Sequence, residues 1–469
     1  MSKKITQEEF DEEVRSLLED LCLDEQEAIE DVVREYEMKE VDLSNINTRL
    51  FVETRYKHLL TCLEQLDKAI NENNNKCLPK LLQDLRIQLD NDIKYKVYAG
   101  KNKCYHILLK ILIIWEDEFN SEVFNLALEA ITSLMTGYPD LLDDEGIAFQ
   151  IRFLDTMLYI EKNKPSRTIV QCLHWIRECC IKHEQNRQKI FHANVFDRLK
   201  QIITCNDASS LEIKEACSVI RALILDDDIR HAYGKSHEHA VFMAQTCLDI
   251  LVNLLKRYKK KRNTGLAGNL MITLAALTVR NDFCEKVADA GGLDCIVVVL
   301  RDHSQSQKVY WQALKLLRTL ARNDCVKNRI VNCGCAPLIV SVITRHMNCE
   351  HIVTAALGCI ATLCLRSSGN SDAFYNCDAP PAIVNAMYAH RKNEDVLVQA
   401  CWAIRNMSVR NRSESEIFLT CDVEKILRDI MSCPNEKLRE SAKSALRDLG
   451  LHVELKERWT GKGISLSNK

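Results

Sequence analysis

Proline and glycine are scarce, 7 and 14 of 469 residues. Sheet-rich folds use these residues at most hairpins, so their scarcity excludes a β-sandwich or barrel and favours helices joined by short connections. An excess of charge of one sign is missing too. Lys and Arg total 63 and Asp and Glu total 66, a net charge of −3. That excludes a chain held to nucleic acid by bulk charge and leaves only local patches. No long apolar run occurs: the most apolar stretch, Ile107 to Trp115, carries Lys110 and is far shorter than the roughly 20 residues of a membrane span. The segment Met1 to Glu9 has two lysines but no apolar core behind them. No secretory signal and no membrane partner are therefore expected.

Cysteine is plentiful at 22, yet no Cys-x-x-Cys occurs. The closest pairs, Cys179-Cys180 and Cys333-Gly334-Cys335, have no His or Cys partner at zinc-finger spacing. The cysteines are expected as reduced structural thiols of a cytoplasmic protein that also reaches the nucleus, with no metal and no cofactor. Hydrophobic residues at 46% and charged residues at 28% suit a folded chain and exclude a disordered one.

What the chain does contain is a repeat. Leu134, Cys179, Leu223, Leu277, Leu320, Leu363, Met407 and Leu449 recur at spacings of 45, 44, 54, 43, 43, 44 and 42. Three positions before each stands Ile131, Ile176, Ile220, Leu274, Leu317, Ile360, Ile404 or Leu446. Seven before stands Ala127, Cys172, Ala216, Leu270, Ala313, Ala356, Ala400 or Ala442. Offsets of −7, −3 and 0 share one face of a helix, and small residues at −7 let a neighbouring helix approach. A shorter helical segment follows each column and ends near Gly, Cys or Asp, as at Val326 to Gly334 and Ser415 to Asp422. A second amphipathic segment comes after it. Three helices in a period near 43 match the armadillo arrangement, whose units bury their apolar faces only by stacking. The expected fold is all-α, an armadillo-type solenoid that is a right-handed superhelix of three-helix repeats.

The expected organisation has five parts. Residues 1–40 form an acidic helical arm with 15 Asp/Glu against 5 Lys/Arg. A linker spans 41–55, and 56–118 form a helical cap or degenerate first repeat. Seven to eight repeats fill 119–450, with an insertion near 229–263, and 451–469 form a tail. The arm is amphipathic: Phe10, Val14, Leu17, Leu18 and Leu21 make one apolar face, and Ile29, Val32, Val33 and Tyr36 another. Such faces need a surface to cover, which a solenoid end or groove would supply.

A narrower resemblance rests on Val41-Asp42-Leu43-Ser44-Asn45-Ile46, Lys182-His183-Glu184-Gln185-Asn186-Arg187-Gln188 and Asp226-Asp227-Asp228-Ile229-Arg230. The ending carries more of it, with Ala445-Leu446-Arg447-Asp448-Leu449-Gly450, His452-Val453-Glu454-Leu455 and Trp459-Thr460-Gly461. These blocks resemble the armadillo repeat-containing protein 6 family. The resemblance implies a solenoid that binds other proteins and implies no reaction. The family's Gly-His-x-His-x-His loop reads Gly234-Lys235-Ser236-His237-Glu238-His239 here, with Lys235 in place of the first His.

No catalytic constellation appears, and the chain is read as a non-enzyme. Gly234-Lys235-Ser236 echoes a phosphate-binding loop, but Ile229 stands where that motif needs Gly. His237 and His239 are placed in an exposed loop; their His-x-His pattern resembles the substrates of histidine methyltransferases, although Glu238 is larger than the usual middle residue. Asp226 to Asp228 are read as helix-end residues. Lys256 to Arg262 fits a nuclear localisation pattern, carried by Lys259, Lys260, Lys261 and Arg262, and also suits a helix end.

In armadillo proteins the last helix of each unit lines the concave groove, so its outward columns describe a ligand surface. Trp402 and Asn406, at −5 and −1, resemble the Trp-x-x-x-Asn pair of importin-alpha-type proteins, where the amide clamps a peptide backbone. The other seven repeats lack the pair. A basic ladder is more extensive: Arg177, Arg221, Arg318, Arg405 and Arg447 at −2, with Lys182, Arg280, Arg366 and Arg410 at +3. Arginine forks take carboxylates and phosphates in bidentate fashion, so acidic or phosphorylated partner segments are expected. The competing reading is that these arginines pair locally, as with Glu178 and Asp448. The sequence thus describes a monomeric, non-enzymatic scaffold or adaptor that binds protein segments. A second reading is a nucleocytoplasmic transport or chaperone-type adaptor for an acidic client.

Overall fold

A computed structural model describes residues 4–20, 25–39, 41–43, 45–72, 74–160, 167–231, 233–260, 264–302 and 305–453. Among these the chain forms 26 α-helices, and the one β-type pairing is a bridge between Lys4 and Asp42. The described residues fall into two compact units, divided between 193 and 194.

The first unit opens with α1 (Gln7–Asp20) and α2 (Glu25–Met38). Their apolar faces cover each other. Phe10, Val14, Ala28 and Val32 are buried in one core with Ile5 and Leu18, and Leu17, Ile29, Val33 and Tyr36 pack against it. The arm thus supplies for itself the surface its faces need. Val41, Leu43 and Ile46 join this core, Asn45 Nδ2 donates to the Ile5 carbonyl at 2.7 Å, and Lys4 pairs with Asp42 at 3.2 Å. The segment read as a linker from 41 to 55 is therefore not one: its first half closes the arm, and its second half opens α3 (Thr48–Asn71).

There follow α4 (Leu78–Leu89), α5 (Ile93–Lys101), α6 (Cys104–Ile114), α7 (Glu122–Met135), α8 (Asp144–Ile160), α9 (Arg167–Cys180) and α10 (Glu184–His192). The helices α5, α6 and α7 form one three-helix repeat, so the boundary expected at 118 falls inside it.

The second unit holds α11 (Val195–Thr204), α12 (Ser210–Ala222), α13 (Ser236–Lys260) and α14 (Thr264–Leu277). Four complete repeats follow. The first is α15 (Asn281–Asp289), α16 (Gly292–Arg301) and α17 (Gln307–Leu320). The second is α18 (Asp324–Asn332), α19 (Cys335–Arg345) and α20 (Glu350–Cys364). The third is α21 (Ser368–Tyr375), α22 (Ala379–Ala389) and α23 (Glu394–Ser408). The last is α24 (Glu416–Thr420), α25 (Val423–Met431) and α26 (Glu436–Asp448). The long helices α12, α14, α17, α20, α23 and α26 pack in succession, each on the next, as one layer.

Every residue of the −7, −3 and 0 columns is buried, Leu449 being the most exposed at 6%. The turn from short into second helix runs through a left-handed residue: Lys103 (φ 62°), Asn194 (60°), Gly291 (84°), Gly334 (79°), Asp378 (58°) and Asp422 (57°). Only Gly takes this conformation freely, and Asn and Asp tolerate it best among the rest. Three helix starts carry a shared device. Asn393 Oδ1 accepts from the Val396 amide at 3.1 Å while its Nδ2 donates to Glu350 Oε2 at 2.7 Å. Asn435 does the same with Leu438 and Glu394, and Asn323 with Val326 and Glu285. One amide caps its own helix and ties it to an acid of the preceding repeat.

The expected insertion is a non-helical stretch over 224–231 and 233–235, with Ile229 and Tyr233 exposed, followed by the 25-residue α13. That single helix stands where other repeats have a short and a second helix. No single described helix is long and apolar enough to cross a membrane.

Candidate functional site

The face of the long helices opposite the buried columns is where a ligand surface was expected, and the structure sorts its residues by partner. The −1 column is largely buried. Ser133, Glu178, Ala222, Thr319 and Asp448 are buried. Asn406 is half-buried, and its Nδ2 donates to the Ala361 carbonyl on α20 at 2.7 Å. The amide read as a peptide clamp is thus a donor to the stack itself. Trp402 Nε1 donates to Ser441 Oγ on α26 at 3.2 Å, and Lys437 Nζ lies 5.9 Å from the Trp402 ring centre.

Several ladder arginines are also engaged locally. Arg177 pairs with Glu178 at 2.9 Å, and His174 approaches the same carboxylate at 3.3 Å. Burial disfavours the Glu178 anion, but the His174 and Arg177 hydrogen bonds and charges outweigh it and bring its pKa to about 2. Asp448, nearly buried, holds Arg405 at 3.3 Å and Arg447 at 2.8 Å. Arg221 reaches Asn269 Oδ1 at 2.8 Å, Thr273 Oγ1 at 2.5 Å and Ser218 Oγ at 3.0 Å. Arg280 pairs with Asp282 at 3.0 Å.

Others keep their charge for solvent. Arg318 is half-buried, and Arg322, Arg366 and Arg410 are exposed. Among the described residues none of the four makes a side-chain hydrogen bond or ion pair. Arg366 acts at longer range: the Lys327 hydrogen bond, with a smaller share from Arg366, holds the Asp324 carboxyl below its usual range. Arg322 was missing from the ladder because it lies at +2. Its signal was the series Trp311, Lys315, Arg318, Arg322 at spacings of four, three and four, which runs along α17 into the turn after it.

His237 and His239 are not in a loop. Both lie in the first turn of α13, His237 exposed and His239 buried at 4%, with His239 Nδ1 3.2 Å from the Leu223 carbonyl. Burial of His239 removes it as an accessible modification site in the folded chain. Asp228 is buried against Arg230, whose Nε donates to it at 2.8 Å. Of the basic run, Lys259 and Lys260 close α13, and Lys261 and Arg262 lie outside the described residues. None of the 21 described cysteines forms a disulfide, and most of them are buried. Burial pushes the thiols of Cys172, Cys359 and Cys401 up to about 12, which keeps them protonated and unreactive. Among the described residues no group of three or more His, Cys, Asp or Glu is placed to hold a metal.

Three-helix repeats stacked on a common buried ladder define an armadillo-repeat α-solenoid, a fold of protein-interaction scaffolds that are in general non-enzymatic. The chain belongs to the armadillo repeat-containing protein 6 (ARMC6) family. The ARMC6 family model matches residues 59–467, and the armadillo repeat-containing protein 6 N-terminal domain matches residues 2–58. Armadillo repeat-containing protein 6 of Homo sapiens is 37% identical over 490 aligned residues, covering 100% of this chain and 95% of the relative. The Drosophila melanogaster homolog is 33% identical over 381 residues, 80% of each chain. Among solved structures, an engineered protein superposes with a TM-score of 0.57 at 15% identity, over 83% of this chain and 99% of its own. A structure concerned with a phosphorylation switch in the cadherin–β-catenin interaction gives 0.54 at 16% identity, over 79% and 69%. At these identities the structural likenesses establish the fold alone.

Proposed function

We propose that the chain is a protein-binding scaffold whose second unit holds a partner segment along the layer of long helices. The observation that carries this is the set of cations left without ionic partners on that layer and its C-terminal turns: Arg318, Arg322, Arg366 and Arg410. Arginine outside an ion pair has no carboxylate to give up on binding, and its planar fork matches carboxylate and phosphate. The same fold engages its other ladder arginines locally, as Asp448 does for two of them, so the open ones stand apart.

The test is co-precipitation of endogenous protein with the full-length chain, beside a variant carrying Arg318→Ala, Arg366→Ala and Arg410→Ala. The variant should lose the recovered partners while melting close to the parent, because none of the three side chains is in the core. Leu320→Ala serves as the contrast: it should cost about 2–5 kcal/mol of stability, as buried large-to-small changes do. Equal recovery by parent and triple variant would overturn the proposal.

A further inference from the structure

Between α17, α20 and α23 lies a cleft of about 350 Å³. One wall is α17, presenting Trp311, Lys315, Arg318 and Arg322. At 100° per residue Trp311, Lys315 and Arg318 fall within about 60° of one another on the helix, and Arg322 follows in the turn after it. Lys315 Nζ lies 5.0 Å from the Trp311 ring centre. The far rim carries Glu350 and Asp395, in the first turns of α20 and α23, and Glu350 is engaged by Asn393.

The basic wall has three cations spaced three and four residues apart and no carboxylate among them. Like charges at that spacing repel and weaken a helix. Elsewhere on the layer Asp448 takes up Arg405 and Arg447; for these three cations no described carboxylate does so. The Arg318 guanidinium lies against Gly358 of α20, where a Cβ would fall 2.6 Å from Nη1 and 3.0 Å from Cζ. A side chain at 358 would displace it, so glycine there leaves room for Arg318 to line the cleft.

We infer that this cleft receives one phosphorylated side chain of a partner segment, with the phosphate on Arg318, Arg322 and Lys315 and the segment running past Trp311. A phosphate near −2 with three oxygens can be shared by three cations at once, whereas a carboxylate offers two oxygens and one charge. Glu350 and Asp395 line the same cleft and disfavour a run of acidic residues in it. This inference rests on the scaffold reading above and adds the chemistry of the ligand.

The test uses the full-length chain and an immobilised peptide library with a fixed central phosphoserine, a twin library with unphosphorylated serine and a third with glutamate. The phosphoserine library should be retained roughly tenfold or more over both twins. Arg318→Ala with Arg322→Ala should remove that margin, the loss expected for two charge-assisted contacts. Gly358→Leu should remove it as well, by displacing Arg318 with both arginines still present, and melting curves establish that each variant is folded. Equal retention of the serine or glutamate library would overturn the inference. Retention that survives Arg318→Ala with Arg322→Ala would do the same, as would tighter Arg318-dependent binding of single-stranded RNA. If co-precipitated partners are still lost in the triple variant while the libraries do not differ, the scaffold reading stands and only the phosphate assignment falls.

Discussion

Charged residues on a helical surface take their meaning from the partners they meet. Glu178 shows this within a single helix: buried, it would resist ionisation, yet His174 and Arg177 hold it as an anion with a pKa of about 2 against an ordinary 4.5. A carboxylate whose native pKa is depressed stabilises the fold fully above its unfolded value and loses that contribution as pH falls towards the native one. Glu178→Gln should therefore lower the urea midpoint at pH 7, and its deficit relative to the parent should shrink between about pH 5 and pH 2. A deficit that does not change with pH would mean that the charge on Glu178 is irrelevant to folding. The same logic explains why the open arginines were not distinguishable in the sequence. Arg405 finds Asp448 and Arg221 finds Asn269, partners 43 and 48 residues away, and no local pattern announces them. The column periodicity, by contrast, was fully legible, because a buried position demands an apolar or small residue in every repeat.

At the scale of the helix, the ties between repeats are built from capping residues. Asn393 serves two helices at once through the two ends of one amide. Asn and Asp are about equal as N-caps, so Asn393→Asp preserves the bond from Val396. It nevertheless removes the donor to Glu350 and sets two carboxylates together. The substitution should cost about 1–2 kcal/mol in chemical denaturation, a loss that capping preference alone does not predict. An unchanged or raised stability would show the tie to Glu350 to be energetically empty. Helix starts of this kind could be read from the sequence, since Ser209 with Glu212 is a capping box in plain view. The arm and α13 could not. The two faces of α1 and α2 were visible, but that they cover each other depends on the turn and on Val41, Leu43 and Ile46 returning to the same core. His237 to His239 look like loop residues because Gly234 and Ser236 precede them; the apolar run behind them, with Ala240, Met243, Ala244 and Cys247 all buried, extends the helix back over them.

For the molecule as a whole, the long-helix layer of the second unit reconciles a nearly neutral chain with a locally basic surface. A net charge of −3 conceals an acidic arm of −10, from 15 acids and 5 bases in residues 1–40, and a cluster of unpaired cations centred on α17. The central claim is that partners sit on this layer. The most direct measurement is site-specific photo-crosslinking in cells, with the reactive side chain placed at His351 in the cleft or at Phe242 on α13, which is 53% exposed. Discrete protein adducts should form from position 351, not from position 242, and those from 351 should disappear when Arg318 and Arg322 are replaced by alanine. Adducts that form only from position 242, or that form from 351 regardless of the two arginines, would contradict the account.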